Sequence, residues 1–114
     1  MKNWHAVEAF ALTLPGVVRD TSYGKPALKL RGKAIATTTA PAHDSFVLMT
    51  PLAEKEVLIE TDPDTFWETD HYRGWPAVLV RYGTPAGERI ATLLTRGWWD
   101  RATKAQQKAY GPRP

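Results

Sequence analysis

Two amphipathic stripes, one near each end of the chain, place the strongest constraint on its fold. The first follows the N-cap residue Asn3, stops at Pro15-Gly16, and consists of Trp4, Val7, Phe10, Ala11 and Leu14. The second follows Thr84-Pro85, which predict an N-cap and a first helical residue, and it consists of Ile90, Leu93, Leu94 and Trp98. Both stripes have helical spacing. Because each needs another layer to cover it, the pattern predicts N- and C-terminal helices packed on a shared core.

Short apolar runs between the two stripes are typical of β-strands. They occupy residues 27–30, 33–38, 45–50, 66–69 and 77–82. The turn Arg31-Gly32 joins the first two runs into a hairpin, in which we expect Leu28 to pair with Ile35 and Lys29 with Ala34. One face of this hairpin is then apolar, and the other carries the lysine.

A short helix over residues 51–60 interrupts the strands, with Leu52 and Val57 expected on its inner face. This order of elements gives an α+β fold. We expect a two-layer sandwich in which the N- and C-terminal helices cover one face of a mixed or antiparallel sheet. The 114 residues are enough for a single domain over residues 1–114, with a frayed tail from about residue 110.

The composition excludes several classes of protein and site. The sequence has no cysteine, which rules out disulfides, thiolate metal sites and cysteine nucleophiles. The N-terminal stretch lacks the pattern of a signal peptide, and no apolar stretch approaches the roughly 20 residues that cross a bilayer. We therefore expect a cytoplasmic protein without a membrane segment.

Charge is strongly segregated along the chain, although the net charge is only +3. Residues 1–40 carry six Lys/Arg against two acids, residues 41–70 one against eight, and residues 71–114 eight against two. Clustered charge sets the local potential more than net charge does, so a basic face could attract a polyanion. The alternative is that the acids and bases pair with each other across the fold.

Three segments of the chain resemble a known family. They are Leu14-Pro15-Gly16, Tyr23-Gly24-Lys25-Pro26 and, above all, the run HYRGWPAVLVR from His71 to Arg81. These segments, and the order of elements from about Trp4 to Lys104, resemble the MmcQ/YjbR family. The chain departs from the family pattern at Thr103, where a proline is expected.

The resemblance implies both a fold and a function. The implied fold is frataxin-like (CyaY-like), with two helices on one face of an antiparallel sheet. The implied function is DNA binding through a "double wing" of hairpins, although a fold does not by itself fix a function. Frataxin-like proteins also suggest iron binding through an acidic ridge, but here the first helix has only Glu8. The iron-binding interpretation therefore does not carry over.

Catalytic, cofactor and metal motifs are missing from the sequence. The glycines never form the G-x-G of phosphate and dinucleotide loops, and neither Ser22 nor Ser45 lies in a G-x-S-x-G turn. The three histidines could ligate zinc or iron together with Asp44 or Asp70, but no pair of these residues has ligand spacing. These histidines are His5, His43 and His71. We therefore predict no catalytic residue, no cofactor and no metal site.

Two clusters of residues are candidates for binding. The basic cluster surrounds the first hairpin and comprises Lys25, Lys29, Arg31 and Lys33. The mixed cluster lies before and within the last strand and comprises His71, Tyr72, Arg73, Trp75 and Arg81. Arginine pairs with phosphate and aromatic rings stack on bases, so together they suit nucleic acid. The structural alternative is a solvated hairpin and a loop in which Gly74 and Pro76 shape the strand entry while Tyr72 and Trp75 pack on the sheet.

Three hypotheses of function follow. The first is a non-enzymatic module that binds DNA weakly and with little sequence preference through the basic hairpin and loop. The second is a protein-interaction or small-ligand module that uses the aromatic loop around Trp75. The third is an enzyme acting on a small acidic substrate. A basic face interrupted by the acids of residues 54–70 would favour the second hypothesis over the first. A deep pocket holding His71 beside a carboxylate would favour the third.

Overall fold

One antiparallel sheet forms the centre of the protein, for which a computed structural model describes residues 1–39 and 44–114. Within those ranges the sheet has six strands in the order β1-β2-β3-β4-β6-β5, and every neighbouring pair is antiparallel. The strands are β1 (Val18–Ser22), β2 (Lys25–Leu30), β3 (Lys33–Thr38), β4 (Ser45–Met49), β5 (Phe66–Trp67) and β6 (Ala77–Arg81).

The described part of the chain has four α-helices. They are α1 (Trp4–Ala11), α2 (Leu52–Thr61), α3 (Gly87–Arg101) and α4 (Lys104–Tyr110), and a short 3₁₀ turn covers Asp70–Tyr72. Asn3 caps α1 as predicted, because its side-chain oxygen accepts a hydrogen bond from the backbone N–H of Ala6 at 2.8 Å. None of these helices is both long and apolar enough to span a membrane.

The main core lies between the sheet and the helices. The helical residues in it include Val7 and Ala11 of α1 and Ile90, Leu94 and Trp98 of α3. The strand residues that meet them include Leu28, Leu30, Phe46, Leu48, Val78 and Val80. Trp98 is only 2% exposed, as its place on the stripe predicted. The expected two-layer α+β architecture is therefore confirmed, with α1 and α3 on one face of an antiparallel sheet.

Two tight turns shape the hairpins β1–β2 and β2–β3. Tyr23-Gly24 and Arg31-Gly32 both have two successive positive φ values, as the two-residue turns that match strand twist require. The predicted pairing of Lys29 with Ala34 is confirmed. The predicted pairing of Leu28 with Ile35 is wrong, because the register shifts between Leu28 and Lys29 and Leu28 faces Ala36.

Several elements differ from the sequence prediction. Strand β1 was not predicted, because it is an exposed edge strand without an apolar alternation. Helix α4 was also not predicted, although Thr103 and Gln106 form a capping box that a sequence can show. Helix α3 begins at Gly87 rather than at Thr84-Pro85. The Thr84 hydroxyl accepts hydrogen bonds from the buried Thr65 hydroxyl at 2.9 Å and from the backbone N–H of Ala86 at 3.4 Å.

The inner face of α2 also differs from its prediction. Leu52 and Val57 are exposed, whereas Lys55 and Leu58 are buried. The tail, expected to fray from about residue 110, has partners in the structure. Arg113 pairs with Glu54 and Asp100, and the Pro114 carbonyl accepts a hydrogen bond from Arg96 Nε at 2.7 Å.

The two adjacent tryptophans of α3 should contribute unequally to stability. Trp98 is buried and its indole N–H donates to the Pro15 carbonyl, whereas Trp99 is only partly buried. Trp98→Ala should lower the free energy of unfolding by about 3–5 kcal/mol. Trp99→Ala should lower it clearly less. Urea unfolding of both variants checks this, and equal losses would contradict the helix phase.

Tyr82 should make stability fall at high pH. Its ring stacks on Phe46, and burial raises the pKa of its hydroxyl to about 12. An unfolded chain releases this proton near pH 10, so between about pH 10 and 12 the unfolded state holds fewer protons than the folded state. The free energy of unfolding therefore falls as pH rises through this window. Tyr82→Phe should lose less stability than the wild type as the pH rises from about 10 toward 12 in urea unfolding, and equal losses would contradict the assignment.

Candidate binding cleft on the open face of the sheet

The sheet face opposite α1 and α3, here called the open face, carries the candidate site. Residues that pair across strands share a face, and the pairing register runs one row across the sheet. This row is Asp20, Ala27, Thr37, Val47, Leu79 and Trp67. Lys25 and Lys29 lie two residues either side of Ala27 and therefore share the open face.

Residues 68–76, here called the aromatic loop, lie at the open face. Tyr72 packs against a small apolar cluster of Val47, Ala77 and Leu79. The loop turns at Gly74, which has a positive φ of 77°. A side chain there would be strained, so glycine allows the chain to return into β6.

Lys55 of α2 anchors the backbone of the aromatic loop. Its ammonium donates to the carbonyl oxygens of Tyr72 at 2.7 Å and Trp75 at 3.0 Å, and it forms an ion pair with Glu68. The Lys55 side chain is only 3% exposed. A buried ammonium is costly unless its donors are satisfied, and here three acceptors surround it. The loop backbone is therefore held in one position.

A cleft of about 600 Å³, here called the open-face cleft, separates the aromatic loop from the turn of hairpin β1–β2. The loop side presents His71, Tyr72 and Trp75, and the hairpin side presents Ser22, Tyr23 and Lys25. Between them, the other lining residues include Ala34, Thr37, Val47, Met49 and Ala77. Trp75 is 63% exposed and Tyr23 is fully exposed, so both rings are accessible.

The electrostatic character of the open-face cleft is basic. Among the described residues that line it, Lys25 and His71 are the groups that can carry positive charge, and there is no aspartate or glutamate. The nearby Asp70 is an ion-pair partner of Arg73 at 2.8 Å and does not line the cleft. The cleft is therefore suited to an anionic or neutral planar ligand.

Four of the nine predicted site residues meet around the open-face cleft, namely Lys25, His71, Tyr72 and Trp75. Arg31 and Lys33 lie at the far end of hairpin β2–β3 from Lys25. Lys33 lines a separate depression together with Asp100 and Arg101.

The other three predicted residues have intramolecular partners. Arg81 stacks on Trp67 with its guanidinium carbon 4.7 Å from the ring centroid, and it donates to the carbonyls of residues 63 and 64. Arg73 pairs with Asp70, and Lys29 makes a longer 3.7 Å contact with Asp20. The predicted cations therefore do not form one continuous basic face.

Part of the segregated charge pairs across the fold. Glu54 accepts hydrogen bonds from Arg96 and Arg113, each at 2.8 Å, and Arg113 also pairs with Asp100. In the part of the chain that the structure describes, three cations of hairpin β2–β3 have no ion-pair partner. They are Lys25, Arg31 and Lys33.

Sequence reasoning did not identify two residues of this site. Lys55 carried a signal, since it is the one cation among the eight acids of residues 41–70. Tyr23 lies in the YGKP segment, but only the φ of 51° at its turn presents the whole ring to solvent.

Over residues 1–39 and 44–114, no group of three or more His, Cys, Asp or Glu side chains is arranged to hold a metal ion. His43, one of the three histidines considered as ligands, lies outside the described residues.

Removing the Lys55 ammonium should destabilise the protein measurably. Lys55→Met leaves two loop carbonyls without their hydrogen-bond donor and Glu68 without its ion-pair partner, which should lower the free energy of unfolding by about 2–3 kcal/mol. Combining it with Glu68→Gln should recover part of the loss, because the unpaired carboxylate is then gone. Urea unfolding compares the two variants. A loss below about 1 kcal/mol for Lys55→Met would contradict the anchoring role.

Comparison with known proteins assigns the chain to a family. The YjbR family profile matches residues 12–99, which is more than half of the chain. Searches of curated proteins and of solved structures give no significant match, so the frataxin-like relationship stays a prediction. The matched range contains every residue of the open-face cleft as well as Lys55. The chain therefore belongs to the YjbR family, as the run from His71 to Arg81 indicated.

Proposed function

We propose that this protein is a non-enzymatic module that binds DNA weakly and with little sequence preference. The observation that carries the proposal is the set of three exposed cations on hairpin β2–β3 without ion-pair partners among the described residues, Lys25, Arg31 and Lys33. A cation without a partner keeps its full attraction for phosphate. Contacts with phosphates give affinity without reading sequence.

The geometry of hairpin β2–β3 suits a chain of phosphates. Lys25 and Arg31 are six residues apart along an extended strand, which corresponds to about 20 Å. Lys29 lies between them on the open face, and its partner Asp20 is itself half exposed. A phosphate could therefore replace that long contact at little cost. In this proposal hairpins β1–β2 and β2–β3 are the two wings.

On the other side of the open-face cleft, the proposed duplex interface includes only Arg73 of the aromatic loop, which is highly exposed although it pairs with Asp70. His71, Tyr72 and Trp75 line the cleft and are not needed for contacts with duplex phosphates. Arg81 is left out of the proposed interface, because Trp67 and two carbonyl groups already occupy its guanidinium.

Duplex binding should depend on salt in proportion to the number of cations that engage. With Lys25, Arg31 and Lys33 alone, the slope of log affinity against log salt should be about −3, and it should approach −4 to −5 if Lys29 and Arg73 also exchange their partners for phosphate. The dissociation constant should lie near 10⁻⁴ M at physiological salt. Anisotropy titration of a labelled duplex at several salt concentrations measures both.

Charge-removing variants make this test specific. Each of Lys25→Ala, Arg31→Ala and Lys33→Ala should reduce the slope by about one. Arg81→Ala is the matched control and should leave the slope unchanged once its folding has been checked by thermal melting. Absence of duplex binding even at low salt would contradict the proposal, because electrostatic attraction is strongest there.

A protein-interaction or small-ligand module is the second candidate function. Two observations favour it. Asp70 pairs with Arg73 and so interrupts the basic face, and the open-face cleft has a volume of about 600 Å³, in the range of small-ligand sites. Trp75→Ala distinguishes the candidates. It should hardly change duplex binding, but it should abolish binding of a partner that relies on the aromatic loop. An enzymatic role has no such observation in its favour, since no carboxylate lies beside His71 among the described lining residues.

A further inference from the structure

A duplex leaves the most distinctive part of the open face unused. In double-stranded DNA the faces of the bases are covered by their stacked neighbours, so the rings of Trp75 and Tyr23 have nothing to stack on. Both rings are nevertheless exposed at the edges of a cleft whose described lining is free of carboxylates. This combination indicates a ligand with an accessible planar face and a negative charge.

We infer that the open-face cleft binds unpaired nucleobases, so that the protein prefers single-stranded over double-stranded DNA. The inference rests on the proposed DNA-binding function and specifies the form of DNA. A base enters between the aromatic loop and the turn of hairpin β1–β2 and stacks on Trp75 or Tyr23. Its neighbouring phosphate meets Lys25, and the strand continues along hairpin β2–β3 toward Arg31.

The lining of the cleft provides for both parts of a nucleotide. Val47, Met49 and Ala77 give it an apolar surface that suits a base ring. Ser22 and Thr37 also line the cleft, and each carries a hydroxyl group. Because a hydroxyl can donate or accept a hydrogen bond, these groups can meet the edge of any base. The site therefore binds bases without strong sequence preference, as in other single-strand sites that depend on stacking.

Lys55 holds the stacking surface in position in the absence of DNA. It fixes the carbonyl groups of Tyr72 and Trp75, so the backbone of the aromatic loop is already positioned. The His71 ring lies edge-on to the Tyr72 ring at 4.9 Å, which further orders this side of the cleft. A surface that is ordered in advance loses less entropy on binding. Lys55 is therefore a positioning residue for the cleft, although it does not line it.

The test compares three labelled ligands of equal length, about 12 nucleotides, by anisotropy at low salt. They are a single strand, the corresponding duplex, and a single strand whose sugar–phosphate backbone lacks bases. The ordinary single strand should bind at least about tenfold more tightly than either of the others. The strand without bases is the key control, because it keeps the flexibility and the charge of a single strand but has nothing to stack.

Variants assign the preference to the cleft. Trp75→Ala should weaken single-strand binding by about 5-fold to 150-fold and leave duplex binding unchanged. The Trp75 side chain is mostly exposed, and the carbonyl that Lys55 holds remains in the variant, so folding should persist. Val57→Ala removes a comparably exposed apolar side chain of α2, outside the cleft, and should leave both affinities unchanged.

The outcomes separate this inference from the proposed function. Equal binding of single strand and duplex, tight binding of the strand without bases, or an unchanged single-strand affinity in Trp75→Ala would each overturn the inference. In these cases salt-dependent duplex binding would still support the proposed function. If none of the ligands binds at low salt, both the proposed function and the inference fail.

Discussion

The buried ammonium group of Lys55 is the interaction on which the organisation of the open face depends. One side chain of α2 holds two carbonyl groups of the aromatic loop and the carboxylate of Glu68. A charge in this position must have partners, since isolated burial of an ammonium is very unfavourable. The requirement acts in both directions: the loop neutralises Lys55, and Lys55 fixes the loop over the sheet. The open-face cleft exists because this loop lies there.

The two faces of the sheet are therefore stabilised by different physical means. On the helix side, Leu28, Phe46 and Val80 meet α1 and α3 in a continuous apolar core. On the open face the apolar cluster is small, and the polar anchor of Lys55 supplements it. A face that is only partly covered leaves rings and cations accessible. Tyr23, Lys25 and Trp75 line the open-face cleft for this reason.

Much of the fold could be predicted because periodicity reports burial directly. The stripes of α1 and α3 and the apolar runs of β4 and β6 all lie where their spacing placed them. Strand β1 could not be predicted this way, since an exposed edge strand needs only backbone partners. The pairing of Leu28 could not be predicted either, because a bulge shifts the pairing register without changing the residue composition of the strands. In α2, Leu52 is exposed and Lys55 is buried, which reverses the usual burial of leucine and exposure of lysine.

The sequence by itself determined the α+β class, the family, the buried stripes and the types of residue available for binding. Only the tertiary structure decided which of those residues are free to bind. In the sequence, Arg81 and Lys25 are both cations in or next to predicted strands. In the structure, Trp67 and two carbonyl groups hold Arg81, whereas Lys25 lines a cleft. The physical reason is that burial follows from local periodicity, while the partner of a charge depends on groups that are distant along the chain. Glu54 and Arg113 are 59 residues apart, and only folding brings them to 2.8 Å.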